Sequence, residues 1–316
     1  MTNQHKALAA IITCVFFWGL SFISTKIALG VFPPMTLGAL RFGLAVIFLF
    51  FIKRKYAGEE KIRKEDIPLL AGAGLTGTTL YFFCENNGVS LIPASEASII
   101  TAAIPIMTLI AEKVEERIVS FRNKNTGKTP GKGSVLYRII LPGGGALISL
   151  TGVGLVAGVS FALSGTIAGY IFMLGACFSW IFYCFLTRPL FGRRSRIYIV
   201  FWQSFFGFLG FLPFALFETF GKQAPWQMPG LHVWANILFL GICCSALCYS
   251  FYAQALEALG VGAASLFLNF VPVISVLGGF FILGERLQPL QWLGAGLVLA
   301  GVYLAMSVPG KKEPKR

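Results

Sequence analysis

Ten runs of apolar residues follow one another along the chain, separated by short polar connections. A helix of about 17 to 23 residues crosses the roughly 30 Å of hydrocarbon in a bilayer, so runs of this length predict transmembrane helices. The predicted helices cover approximately residues 7–29, 35–52, 67–88, 94–111, 139–157, 166–187, 197–217, 234–255, 263–283 and 289–306. The predicted fold class is an all-α membrane protein with ten transmembrane helices.

The pattern within these runs repeats once along the chain, which predicts two halves of five helices each. The front of each half aligns at a shift of 162 positions, the middle at 167 and the last helix at 149. Aligned pairs are Trp18 and Trp180, Lys26 and Arg188, Arg41 and Gln203, Asn87 and Gln254, Pro105 and Pro272, and Gly145 and Gly294. Because five is an odd number, the second half inserts with the opposite orientation, which makes an inverted repeat.

The repeat also predicts the domain boundaries. Residues 1–158 are predicted to form the first five-helix repeat, residues 159–308 the second, and residues 309–316 a basic cytoplasmic tail. The first repeat contains a Lys- and Arg-rich insertion at about residues 112–138, which indicates either a flexible loop or a short polar extension of helix four. Whether the protein remains functional with this insertion is left open.

Composition and charge agree with a membrane protein. The chain is 56% hydrophobic and 12% charged, with a mean hydropathy of +0.76, whereas soluble domains are about 25% charged. The net charge of +13 alone would suggest nucleic acid, but 22 of the 26 Lys and Arg residues lie in connections on one side of the predicted topology. The positive-inside rule therefore places both termini in the cytoplasm. We expect a multi-pass protein of a bacterial plasma (inner) membrane, with the lipid bilayer and not nucleic acid as its partner.

The residue types needed for enzymatic or metal chemistry are scarce. All seven cysteines fall within apolar runs, which favours buried small side chains over disulfides or ligands. His5 and His232, the two histidines, lie far apart in the sequence, and Asp66 is the single aspartate. We therefore predict no catalytic residue, no metal site and no cofactor. A membrane-embedded enzyme is the weakest alternative because it would need a nucleophile with a base, or a pair of acids, at membrane depth.

Two basic residues lie inside predicted helices, near their outer ends. Lys26 either extends outward to the interface or faces a cavity, because a lysine in hydrocarbon is costly. Arg41 keeps its charge, and it acts either as an interfacial anchor or as a contact for an anion. Both residues are candidates for binding a substrate carboxylate.

Uncharged polar and aromatic residues within the apolar runs are further candidates for a cavity. The densest polar cluster, Glu85-Asn86-Asn87, is spread over about 200° of helix, so these three residues cannot all face one cavity. Glu85 and Glu96 are the first candidates for a proton carrier if transport is coupled to protons. The complete set predicted to bind substrate is Trp18, Lys26, Arg41, Tyr81, Glu85, Tyr252, Gln254 and Asn269.

Pro105 and Pro272 occupy matching positions in helices four and nine. Each proline removes a backbone donor and frees the carbonyl four residues earlier, at Thr101 and Leu268. Freed carbonyls at membrane depth are tolerated where they face protein or a water-filled cavity. Two kinks at matching places therefore predict a binding site between the halves, with Asn269 beside the second kink.

The order and spacing of several motifs resemble the EamA-type transporters of the drug/metabolite transporter superfamily over nearly the whole chain. These motifs are Phe17-Trp18-Gly19 with Lys26, Arg41-Phe42, the Pro272 segment leading into Leu283-Gly284-Glu285-Arg286-Leu287, and Gln291-Trp292-Leu293-Gly294 through Ala300-Gly301-Val302-Tyr303-Leu304. The resemblance implies a cavity between the halves that opens alternately to each side. It also implies export or exchange of amino acids, other metabolites or drug-like compounds.

The leading hypothesis is therefore a secondary transporter of a small organic solute that works by alternating access without ATP. The alternative is a non-transporting membrane subunit or receptor, which explains the helices equally well but not the repeated mid-helix prolines. The identity of the substrate, the coupling ion, the direction of transport and the presence of a homo-oligomer are left open.

Overall fold

The computed structural model consists of helices packed side by side. It describes residues 3–56, 60–92, 97, 100–122, 144–145, 147–152, 154–155, 166–221, 229–283 and 289–306. Within these residues the one feature of β type is an isolated bridge between Phe191 and Arg194. The predicted boundary at residue 158 and the predicted tail at 309–316 lie outside the described residues.

Helices of the first half have the bounds α1 Asn3–Leu29, α2 Pro34–Tyr56, α3 Ile67–Leu91, α4 Ile104–Arg122, and α5 within 144–155. Helices of the second half have the bounds α6 Ile167–Thr187, α7 Arg196–Gly221, α8 Leu231–Leu259, α9 within 261–283, and α10 Pro289–Met306. Helical residues thus occur at each of the ten predicted positions. Six helices of the described part, α1, α2, α3, α6, α7 and α8, are long and apolar enough to cross a membrane. The predicted all-α membrane fold is confirmed.

The two halves pack against each other along several long helices. Helix α1 packs against α8 and α9, α2 packs against α7, and α3 packs against α6 and α7. Helices α3 and α7 cross at Gly74 and Gly207, where a Cβ atom on either glycine would meet atoms of the opposite helix. Small residues at such crossings let helix backbones approach closely, which stabilises packing in a membrane.

Helices α5 and α10 are held together by the small residues that the sequence contains there. A Cβ atom on Gly152 would lie 2.6 Å from the Gly294 carbonyl oxygen, and one on Gly301 would lie 2.5 Å from the Gly145 carbonyl oxygen. Each half therefore contributes its last helix to one tight crossing.

Both α3 and α8 contain a π-helical segment. These segments cover Leu75–Leu80 in α3 and Phe239–Leu247 in α8, which overlap at the repeat shift of 167. The repeat therefore extends to this irregular backbone. π-Helical segments often occur at functional sites because they re-aim the side chains that follow them.

The observed turn between α8 and α9 is shorter than the turn that the sequence predicts. The sequence predicts a helix ending near Ala255 and a Gly260-Val261-Gly262 turn, but α8 continues to Leu259 and α9 begins at Val261. Gly260 alone makes the turn, with φ of +84°. A positive φ strains any residue with a Cβ, which explains why a single glycine suffices.

Both central prolines lie at interruptions of α-helical structure. Pro272 follows a 3₁₀ segment at Phe267–Asn269. Pro105 is the second residue of α4, directly after a turn at residues 102–103. α4 then continues past Glu112 as a polar helix to Arg122, and residues 123–143 lie outside the described part.

Candidate functional site

A cavity lies between the two halves at the middle of the bundle. Its volume is about 50 Å³, enough for a few water molecules, whereas pockets for organic ligands are usually about 300 to 1,000 Å³. Its lining includes Trp18, Ser21, Arg41, Tyr81, Phe82, Glu85, Thr101, Trp180, Tyr249 and Leu268. The cavity as described therefore has room for water molecules but not for an organic solute.

Arg41 supplies a buried positive charge to this cavity. Its side chain is 1% exposed. The guanidinium Nε donates a hydrogen bond of 2.8 Å to the Ser245 hydroxyl in α8, and its central carbon lies 4.1 Å from the ring centroid of Phe82. Nη1 is buried and has no hydrogen-bond partner among the described residues. An unsatisfied buried donor is costly, so an acceptor that reached Nη1 would stabilise this arrangement.

Glu85 brings a carboxyl group to the same cavity. Its side chain is buried there, one turn after Tyr81 in α3, and both residues line the cavity together with Arg41. The cavity therefore contains one basic and one acidic side chain.

The polar cluster that contains Glu85 divides in three directions, as its helical spacing requires. Glu85 faces the cavity. The Asn86 amide donates a hydrogen bond of 2.9 Å to the Pro34 carbonyl at the start of α2. The Asn87 amide donates one of 2.7 Å to the Phe83 carbonyl within α3. One of the three residues thus belongs to the cavity.

Aromatic side chains from both halves form the walls. The rings of Trp18 and Trp180 meet edge to face, with centroids 5.4 Å apart and an interplanar angle of 84°. The ring centroids of Tyr249 and Tyr252 lie 5.9 and 5.4 Å from that of Trp18, and the ring centroid of Tyr81 lies 5.0 Å from that of Trp180. Such rings offer apolar surface and, through their N–H and O–H groups, polar contacts at their edges.

Hydrogen bonds hold these rings in place. The Trp18 indole N–H donates to the Cys244 carbonyl at 2.9 Å, and the Tyr249 hydroxyl donates to the Gly77 carbonyl at 2.6 Å. Cys244 and Gly77 both belong to the π-helical segments of α8 and α3. The irregular backbone thus fixes the aromatic walls of the cavity.

Several predicted binding residues lie together at this site, and three do not. Trp18, Arg41, Tyr81 and Glu85 line the cavity, and Tyr252 packs against Trp18. Lys26 is exposed, and its ammonium group donates a hydrogen bond of 2.7 Å to the Val89 carbonyl near the end of α3.

Asn269 and Gln254 are the other two residues that lie apart. The Asn269 amide donates a hydrogen bond of 2.8 Å to the Ser149 hydroxyl of α5, while its neighbour Leu268 lines the cavity. Gln254 is half-buried and is not among the lining residues. Glu96 lies outside the described residues.

Sequence reasoning did not select Trp180 or Ser245 for the cavity. Trp180 could have been found from the repeat, because it is the counterpart of Trp18. Ser245 carries no comparable signal, since one serine in an apolar run gives no indication of which helix it faces.

A buried ion pair closes the interface between the halves at one end of the bundle, here called the Asp66 end. The Arg194 Nε donates a hydrogen bond of 2.6 Å to the Asp66 carboxylate, and the two side chains are 9% and 6% exposed. This hydrogen bond raises the pKa of the Arg194 guanidinium above its usual value, so the residue stays charged. The Tyr198 hydroxyl donates a further bond of 3.4 Å to Asp66.

A carboxylate on a helix terminus closes the opposite end, here called the Glu218 end. Glu218 in α7 accepts hydrogen bonds from the backbone N–H groups of Met35 and Thr36, at 3.0 and 2.8 Å, in the first turn of α2. It also accepts one of 3.1 Å from the Thr36 hydroxyl. Backbone N–H groups in the first turn of a helix lack partners within that helix, so an anion is favoured there.

These features define the chain as a helical membrane protein with a closed, polar central cavity between two repeated halves. The model of the EamA-like transporter family matches residues 5–116 and 167–307. The chain therefore belongs to the EamA-like transporter family, and the resemblance predicted from its motifs is confirmed.

Curated relatives match over nearly their whole lengths. The chain is 25% identical to the uncharacterized transporter YetK of Bacillus subtilis, over 99% of this chain and 89% of that protein. It is 26% identical to a probable amino-acid metabolite efflux pump of Salmonella typhimurium, over 96% and 95%. It is 24% identical to a probable terminal-alkyne amino-acid exporter of Streptantibioticus cattleyicolor, over 95% and 93%.

A solved crystal structure shares the fold. It superposes with a TM-score of 0.70 at 18% sequence identity and covers 97% of this chain and 98% of that chain. The shared fold therefore extends over nearly the whole of both chains. The protein is thus a multi-pass membrane transporter.

Proposed function

We propose that the protein is a secondary transporter that exports a small organic metabolite with a carboxylate group, such as an amino acid, by alternating access. Two of the relatives are named for the efflux or export of amino acids or their metabolites. The observation that supports the proposal most directly is Arg41, a fully buried cation with a free donor in the central cavity. A carboxylate on the solute would satisfy that donor, and Glu85 would accept from an ammonium group of the same solute.

The closed cavity fits a cycle in which each end of the interface opens in turn. At about 50 Å³ the cavity is too small for an amino acid, so a solute enters only when one end has separated. The Asp66 end and the Glu218 end each join the two halves, and each would break in one of the two open states. The proposed membrane is the bacterial inner membrane, with both termini in the cytoplasm because the Lys- and Arg-rich connections lie on that side.

Flux of radiolabelled amino acids in proteoliposomes tests this proposal. We expect saturable flux with the purified protein, and a decrease of at least about tenfold for Arg41→Gln, equivalent to about 1.4 kcal/mol of lost binding. Lys26→Gln is the matched control because Lys26 lies outside the cavity, and we expect its flux to change less than about twofold.

A second variant separates loss of binding from loss of folding. Arg41→Gln leaves Glu85 as an unpaired buried charge, which is destabilising in its own right. The double variant Arg41→Gln/Glu85→Gln restores charge balance, so we expect it to fold but still to lose flux. Absence of saturable flux for every amino acid tested with the unaltered protein would contradict the proposal and favour a receptor or non-transporting subunit.

A further inference from the structure

A second pocket lies away from the central cavity, where α2 ends and α7 begins. It has a volume of about 700 Å³ and is lined by Lys53, Glu60, Lys61, Ile62 and Trp202. The two neighbouring apolar spans are Pro34–Tyr56 and Arg196–Phe220. The pocket is therefore at the level where both helices leave the hydrocarbon and reach the lipid headgroups.

The charged groups of this pocket favour an anion. Lys53 and Lys61 each bring an ammonium group, and the Lys53 Nζ lies 5.6 Å from the ring centroid of Phe201. The single carboxylate in the lining, Glu60, accepts a hydrogen bond of 2.8 Å from the Ser195 hydroxyl at the start of α7. One of the carboxylate oxygens is thus engaged by the protein, and the two lysines outnumber it.

Trp202 contributes its ring to the lining of the same pocket. Its indole N–H is shielded from solvent, so it is not presented to a ligand there. The ring therefore supplies apolar surface beside the two ammonium groups. Trp202 is half-buried overall, and its ring lies 5.1 Å from that of Phe201.

Apolar surface continues from the pocket towards the lipid-facing side of α2. The ring of Phe50 lies 6.3 Å from that of Phe201 and is 46% exposed, and the adjacent Phe51 is 65% exposed. A ligand with an anionic head and an apolar tail could therefore place both parts on favourable surface. A free inorganic anion would use the head site alone.

We propose that this pocket binds the phosphate group of an anionic phospholipid such as phosphatidylglycerol. The phosphate oxygens accept hydrogen bonds from the ammonium groups of Lys53 and Lys61, and an acyl chain lies along Phe50. Basic pockets between transmembrane helices at the membrane surface are suited to such headgroups. The proposal depends neither on the transported solute nor on which leaflet contains this end of the bundle.

Native mass spectrometry of the full-length protein, titrated with phosphatidylglycerol or phosphatidylcholine, tests the proposal. We expect one phosphatidylglycerol molecule to bind more tightly than any phosphatidylcholine. The variant Lys53→Gln/Lys61→Gln should weaken this first binding step by about tenfold or more, because both charge-assisted hydrogen bonds to the phosphate are lost.

The matched control is Arg54→Gln/Lys55→Gln. It removes the same charge from the same end of α2, but Arg54 and Lys55 are exposed and do not line the pocket. We expect this control to weaken binding by less than about threefold, because it removes only long-range attraction. Equal losses for the two double variants would overturn the proposal, since binding would then reflect diffuse charge.

Two further measurements test the remaining parts. Trp202→Phe keeps an aromatic ring in the lining and removes an N–H that does not face the pocket, so we expect phosphatidylglycerol binding to change by less than about twofold. Inorganic phosphate at millimolar concentration should not displace the lipid. Displacement by phosphate, or unchanged binding in the Lys53→Gln/Lys61→Gln variant, would contradict a lipid site.

Discussion

At the Asp66 end, two oppositely charged side chains from different halves meet directly, whereas at the Glu218 end one carboxylate meets backbone N–H groups. Asp66 and Arg194 are both nearly inaccessible to water. Glu218 is only half-buried, and its partners Met35 and Thr36 begin a helix. Both contacts join the first half to the second. The halves are therefore held together by an ion pair at one end and by a carboxylate on a helix N-terminus at the other.

This difference predicts different tolerance to mutation. A buried ion pair is balanced only while both partners remain, because removing one leaves a charge in a poorly hydrated place. A helix terminus that loses its carboxylate loses a favourable interaction but keeps no unpaired charge, because its backbone N–H groups are neutral. We therefore expect the Asp66 end to be the more fragile of the two.

The largest effect is expected for Asp66→Asn. Loss of the carboxylate leaves Arg194 without its buried counter-ion, and we expect the free energy of unfolding to decrease by about 3 kcal/mol. Denaturant unfolding in detergent, followed by tryptophan fluorescence, measures this change. Glu65→Gln is the control, because Glu65 is 70% exposed and its pairs with Arg63 and Arg194 are long. Equal effects of the two variants would show that burial does not matter at this end.

An intermediate effect is expected for Glu218→Gln. The amide oxygen still accepts hydrogen bonds from the first turn of α2, but it lacks the negative charge that is favoured at a helix N-terminus. We therefore expect the free energy of unfolding to decrease by about 1 to 2 kcal/mol. The same unfolding measurement applies. Glu257→Gln is the control, since its pair with Arg196 is 3.5 Å long and partly exposed at the opposite end. A larger decrease in the free energy of unfolding for Glu218→Gln than for Asp66→Asn would show that the Glu218 end is the more fragile one.

The smallest effect is expected for Lys26→Met, also at the Glu218 end. This variant removes one hydrogen bond, from the Lys26 ammonium group to the Val89 carbonyl, at an exposed position. We expect the free energy of unfolding to decrease by less than about 1 kcal/mol, since exposed charged groups contribute little to stability. Flux and its KM should remain unchanged. An increased KM would instead assign Lys26 to the solute path and sharpen the distinction from Arg41.

Much of the fold could be predicted from local sequence. Each apolar run needs only its own length and composition to become a transmembrane helix, so all ten positions contain helical residues. The repeat aligned Trp18 with Trp180, and their contact could have been predicted from it, although only Trp18 was selected for the cavity. The place of the turn at Gly260 could also be predicted, although the observed turn is shorter than the predicted one.

The different environments of Lys26 and Arg41 could not be predicted. Both are cations near the outer ends of neighbouring helices, and neither helix alone determines which one is buried. Ser245 and Phe82, from two other helices, hold Arg41 in the cavity. Such contacts depend on tertiary packing, as do the π-helical segments, which leave no recognisable signal in the amino-acid pattern.

The edge-to-face contact of Trp18 with Trp180 has a consequence for motion. Each residue is the counterpart of the other in the repeat, so exchanging the conformations of the two halves maps this contact onto itself. Asp66 and Arg194 are not counterparts, so the same exchange does not map their contact onto itself. In the proposed cycle the contact between the two indoles is therefore kept, and the halves rotate about it. The contacts at the Asp66 end and the Glu218 end form and break in turn.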